Sequence, residues 1–182
     1  MEPPSRSPTI AEQEPFWLGL ARDWGIALAV VVGVFVVWSV FLAPGPRASG
    51  PAPAFELPDL HGSPLSLAQI DEGPAILNFW FTSCGPCRHE IPELARFHDA
   101  HPEVPLIGVS VDRDMPAQRL AAISRRLGIN YTVVHDADSA VARRYGVDLF
   151  PTTFILHDGE IHHVKMGEVD QAYLESMLAH QH

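Results

Sequence analysis

Residues 75–81, AILNFWF, are apolar at every position except Asn78. A strand with one wet face alternates polar and apolar residues. A strand without that alternation is buried on both faces. This segment is therefore expected in the middle of a sheet that is covered on both sides, and the rest of the chain has to be arranged around it. A helix is expected over about 85–100. VPLIGVSVD (104–112) reads as a second buried strand. PAQRLAAISRRLG (116–128) has helical periodicity and stops on glycine. YTVVHD, DSAVARRYG, PTTFILHDGEIHHVKMG and QAYLESMLAH then read as strand, short helix, hairpin and closing helix, with Asp158-Gly159 at the hairpin turn. AFELPDLHGSPLSL, ahead of the central strand, reads as a small hairpin around His61-Gly62. Strands and helices that alternate and then finish with a hairpin imply an α/β fold: a mixed sheet with helices on both faces.

This domain is expected to occupy residues 54–182. Residues 1–24 are expected to be disordered, since the first fifteen are rich in Pro, Ser and Glu and cannot bury a core. Residues 26–43 carry no charge. An α-helix of that length spans about 27 Å, close to the ~30 Å hydrocarbon core of a bilayer. Trp17, Trp24 and Trp38 sit near its ends, as interfacial aromatics do. A transmembrane helix over 25–43, serving as a signal anchor, is expected. The alternative, a cleaved signal peptide, usually has an apolar core of only ~7–15 residues. Arg6 and Arg22 precede the span and Arg47 follows it. That bias favours a cytoplasmic N-terminus and a C-terminal domain on the periplasmic side. Residues 44–53, rich in Pro and Gly, are expected to form an extended linker. The formal net charge of -10 argues against nucleic acid as a partner, because phosphate binding needs a basic face.

Cys84 and Cys87 are the only cysteines. Three positions apart, they close too short a loop to constrain the unfolded chain. They are either reactive or metal-binding. Cys84 follows the central strand and opens the helix. A side chain there meets unpaired N–H groups and the positive end of the helix dipole, which favour thiolate over thiol. Such placement lowers a cysteine pKa from about 8.5 to between ~3.5 and ~7.5. Cys87 lies one turn in, on the same side but deeper. Pro86, beside Gly85, is tolerated because first-turn N–H groups have no helical partner. The pair can close a disulfide without backbone movement. Cys84 would attack a substrate disulfide and Cys87 would resolve the mixed disulfide. Structural zinc needs four ligands, and there is no second cysteine pair.

FWFTSCGPCRHEIPEL resembles the active-site segment of the thioredoxin superfamily. It is most similar to the membrane-anchored TlpA/ResA-type thiol–disulfide reductases, whose pattern Cys-x-x-Cys-x-x-Glu-x-Pro appears here as Cys84, Cys87, Glu90 and Pro92. GVSVD (108–112) and YGVDLFPTTFIL (145–156) are similar to further segments of that family. The resemblance implies a thioredoxin-like domain that reduces protein disulfides. No cofactor and no metal are implied. Disulfide-containing clients are implied partners, apocytochrome c among them, together with a membrane thiol-electron transporter as reductant. Glu90, three positions after Cys87, would share its helix face and exchange a proton with it. Asn78 stands where thioredoxin carries a buried Asp; it cannot titrate. Pro92 should kink the helix. The resemblance implies a cis bond between Phe150 and Pro151, with Phe150, Pro151 and Thr152 presenting backbone to the substrate. Tyr145, Phe81 and Trp80 either line that groove or pack in the core.

Two positions depart from the resemblance. Ser83 replaces a typical Trp before the first cysteine. Thr152 and Thr153 stand where cytochrome-maturation reductases often carry an acid. Two rival readings come from the same superfamily. A copper chaperone would resemble a Cys-x-x-x-Cys pair, one residue longer than this one. A thiol peroxidase is prompted by the Thr82-x-Cys84 spacing. The adjacent His162 and His163 are expected to point to opposite faces of a strand.

Overall fold

The computed structural model describes residues 16–37 and 45–179. The chain divides into two compact units, Met1–Pro44 and Gly45–His182. In the first unit, helix α1 (Phe16–Val37) begins within the stretch expected to be disordered, where the proline-free sequence FWLGLARDWG runs into the apolar segment. Its side chains from Trp24 to Val37 are exposed. Among the described residues no helix is long and apolar enough to cross a membrane. The last part of the expected span, 38–43, lies outside the described residues, as do residues 1–15.

The second unit holds a six-stranded mixed sheet. Its strands are β1 (Gly50–Pro51), β4 (Pro74–Trp80), β5 (Leu106–Ser110), β6 (Thr132–His135), β7 (Thr152–His157) and β8 (Glu160–Met166), in the order β1-β8-β7-β4-β5-β6. The expected central strand is β4. It pairs parallel to β5 and antiparallel to β7. A separate hairpin joins β2 (Glu56–Pro58) to β3 (Pro64–Ser66), as the sequence pattern predicts. It is followed by a 3-10 turn, Leu67–Gln69.

β4 explains the layers. Its inner residues alternate between two buried surfaces. Ala75, Leu77 and Phe79 face a cluster with Val141, Ala142 and Tyr145 of α4 (Ala140–Tyr145). Ile76 faces Leu94 and Phe97 of α2 (Gly85–Ala100) and Leu174 of α5 (Gln171–Ala179). Trp80 meets Leu120 of α3 (Ala117–Arg126) on that same side. Helices therefore cover both faces. The crossovers β4–α2–β5 and β5–α3–β6 step in one direction and share a face. The return to β7 places α4 on the other.

Two local features depart from the sequence pattern. The segment 44–53, expected to be a linker, contributes edge strand β1, which pairs with β8 at Gly50–Ile161 and Pro51–Glu160. Arg47 is also tied down, its N–H donating to Tyr145 O at 3.0 Å. Its Pro and Gly residues do not prevent this, because an edge strand needs few N–H donors. A register shift opposite Ile155 and Leu156 of β7 leaves His162 of β8 as the extra residue, and His162 and His163 are both exposed. The β7–β8 turn does follow the pattern. Asp158 and Gly159 have φ of 49° and 74°, the left-handed pair that a two-residue hairpin requires.

Candidate active site

α2 starts four residues after Phe81, and Cys84 is its N-cap, with extended backbone (φ -76°, ψ 113°). Its Sγ accepts the Cys87 backbone N–H at 3.1 Å. The sulfur thus occupies the place that a Ser or Asp side chain takes in an ordinary cap, and it faces the positive end of the helix. Gly85 and Pro86 form the exposed first turn, where the N–H that proline lacks would be unpaired anyway. Cys84 and Cys87 are joined by a disulfide, with Cα atoms 5.3 Å apart. Cys84 retains 5 % exposure and Cys87 none, so only Cys84 offers surface to an incoming sulfur. α2 continues through Pro92 to Ala100 as one helix.

Both sulfurs lie in an apolar cluster with Trp80, Ile91, Leu120 and Val133, against which Phe81 and Phe150 pack. Phe81 and Phe150 meet edge to face at 5.3 Å. The Phe150–Pro151 bond is cis. Pro151 is buried, its carbonyl accepts Gly167 N–H at 2.8 Å, and the Thr152 hydroxyl donates to Leu149 O at 2.7 Å. Ser83 is exposed; with Phe81 and Phe150 it lines a groove of about 480 Å³ that Arg113 and Arg143 border. Of the three aromatics, Phe81 reaches the groove, whereas Tyr145 and Trp80 are buried in the core. Thr82 commits its hydroxyl to Asp112 Oδ1 at 2.6 Å.

Glu90 is 1 % exposed. The Asn78 side-chain amide donates to its Oε1 at 2.7 Å, and the Val169 N–H donates to its Oε2 at 3.1 Å. Asn78 also donates to Thr153 Oγ1 at 3.0 Å, its direct partner across β4 and β7. Burial pushes the Glu90 pKa up to about 7; the two hydrogen bonds pull it down, and the Glu168 charge adds to the rise. The result is a carboxyl one helical turn from the buried sulfur that changes charge near neutral pH. Asn78 and Glu90 were visible as candidates in the sequence. The bonds that tie them to Thr153 and Val169 were not, because the fold alone brings those residues there. Among the described residues no group of three or more His, Cys, Asp or Glu side chains is placed to hold a metal ion. His89 lies on the exposed side of α2, 3.8 Å from Glu168.

Residues 48–164 match the model of the AhpC/TSA family. The chain is similar to the thiol-disulfide oxidoreductase ResA of Halalkalibacterium halodurans, 27 % identical over 170 residues that cover 92 % of this chain and 95 % of that one. It is 29 % identical to the ResA of Bacillus subtilis, over 85 % of this chain and 88 % of that one. The crystal structure of StoA from Bacillus subtilis superposes with a TM-score of 0.60 at 27 % identity, covering 69 % of this chain and 96 % of that one. The architecture is thioredoxin-like.

Proposed function

The chain belongs to the AhpC/TSA family, and on that premise we propose that it is a membrane-tethered thiol–disulfide reductase working through Cys84 and Cys87 outside the cytoplasmic membrane. Its class, thiol–disulfide oxidoreductase, is the class of the ResA relatives. One observation carries the reading. The sulfur at the start of α2 is the more exposed of a bonded pair, and the buried partner sits one turn from a buried carboxyl that titrates near pH 7.

In the reduced protein the Cys84 thiolate attacks a client disulfide. A Cys84–client bond forms and one client thiolate leaves. Cys87 then gives its proton to the Glu90 carboxylate and attacks the Cys84 sulfur. The second client thiolate leaves as the Cys84–Cys87 bond closes. Two electrons have passed to the client, and its thiolates take up protons. Clients such as apocytochrome c, and a membrane thiol transporter that re-reduces the pair, complete the proposed cycle. The uncharged run 26–43 supports the tether, which would raise the effective concentration of partners in the same membrane.

The test is trapping in membranes. Cys87→Ser should accumulate mixed disulfides with periplasmic clients, and Cys84→Ser should accumulate none. Equal trapping by both variants, or a domain protected from protease added to spheroplasts, would contradict the proposal.

A further inference from the structure

Glu90 raises a question that its hydrogen bonds do not answer. A carboxyl 1 % exposed that takes a proton from Cys87 must return it to solvent. Neither Asn78 nor the Val169 N–H accepts a proton.

A second set of buried polar atoms lies beside it. Six buried side-chain polar atoms lack a hydrogen-bond partner among the described residues. Four of the six belong to one neighbourhood: Trp80 Nε1, Tyr131 Oη, Ser124 Oγ and His98 Nδ1. Native interiors rarely leave such groups unpaired, and ordered water is their usual partner. Gly108 links the first two. A Cβ added to it would lie 3.1 Å from Trp80 Nε1 and 3.2 Å from Tyr131 Cε2, so the indole N–H and the phenol ring are neighbours across a residue with no side chain. The Tyr131 and His98 rings are 6.4 Å apart. Tyr131, His98 and Ser124 in turn line a cavity of about 360 Å³, whose rim residues Arg125, His61 and Thr132 are exposed. Inside, Tyr131 comes close enough to Glu90 for the carboxylate's charge to add to the effect of burial on the phenol.

We infer that Trp80, Tyr131, Ser124 and His98 frame a water-filled proton path between Glu90 and this cavity, with the Tyr131 hydroxyl as the relay nearest the carboxyl. The inference rests on the proposed role of Glu90. Protonated Glu90 gives its proton to a water, the water gives one to the Tyr131 oxygen, and Tyr131 releases its own toward the cavity. One proton leaves Glu90 and one reaches bulk solvent. Tyr131 ends neutral, which suits a phenol whose ionisation burial opposes. Among the described residues, Glu168 and Tyr131 are the titratable groups whose electrostatics couple to Glu90, and Cys87 precedes it by three positions on the same helix. Tyr131 is a positioning residue, since it acts on the sulfurs only through Glu90.

A pH jump on the full-length chain, followed by time-resolved infrared spectroscopy of the Glu90 carboxyl, tests this without reference to catalysis. Glu90→Gln assigns the band. Tyr131→Phe should slow protonation of Glu90 about tenfold or more with its equilibrium midpoint close to that of the wild type. Ser124→Ala, a milder change, should slow it in the same sense. An unchanged rate in both folded variants overturns the path. Slowed protonation in a chain that never reduces disulfides would keep the path and defeat the proposed function. Fast disulfide exchange with an unslowed carboxyl would do the reverse.

Discussion

The Asn78 side chain reaches across twelve residues of sequence to donate to Glu90 at 2.7 Å, joining the central strand to the helix that carries both sulfurs. A hydrogen bond to a carboxylate favours the ionised form, so it opposes the effect of burial. Asn78→Ala should therefore raise the Glu90 pKa above about 7. Carbon-13 NMR of labelled glutamate would show the shift, and the pH dependence of disulfide exchange should move up with it.

Stability should respond to the same group. The ordinary carboxyl value is 4.5 and the folded value is about 7, so the folded state binds the proton more tightly than the unfolded one. The stabilisation is fully present below about 4.5 and is lost as pH rises through about 7. It amounts to at most about 4 kcal/mol over that window, at ~1.4 kcal/mol per pH unit. Urea denaturation at intervals across the window should show the decline in wild type. Glu90→Gln, which keeps the shape without the charge, should flatten it.

Turnover should follow the opposite limb. Glu90 must be ionised to accept the Cys87 proton, so resolution of the mixed disulfide should speed up as pH rises through about 7. Glu90→Gln should slow that step by about 10²-fold, the lower end for loss of a general base, while attack by Cys84 changes far less. Stopped-flow reduction of a fluorescent mixed disulfide separates the two steps.

The fold should depend on the aromatic stack beneath β4. Phe154 is wholly buried and meets Phe79 at 5.5 Å and Tyr145 at 5.0 Å. Phe154→Ala should cost roughly 3–5 kcal/mol, as large-to-small changes in tight cores do. The urea midpoint should fall while the Cys84–Cys87 chemistry survives in the folded fraction.

Much of this was legible in the sequence because it is local. Unalternated apolar residues placed β4 at the centre, Asp158-Gly159 specified the β7–β8 hairpin, and the spacing of Cys84, Cys87 and Glu90 put the three candidate side chains on one helix. What was not legible depends on distant chain. β1 forms from a Pro/Gly stretch that has no strand pattern of its own and finds its partner in β8. The bulge at His162 overrides alternation that a strand would otherwise impose. Thr153 and Val169 become partners of the Asn78–Glu90 pair only once β7 and the start of α5 are in place. Tyr131 reads as an ordinary strand aromatic until Gly108 and Trp80 are seen beside it.

The seat of Cys84 at the head of α2 is the claim from which the chemistry starts. Its direct test is the rate of iodoacetamide alkylation of the reduced Cys87→Ser chain as a function of pH. A Cys84 midpoint well below the free-thiol value of about 8.5 is the predicted result. A midpoint at or above that value would mean that the helix terminus does nothing for the sulfur, and would contradict the account.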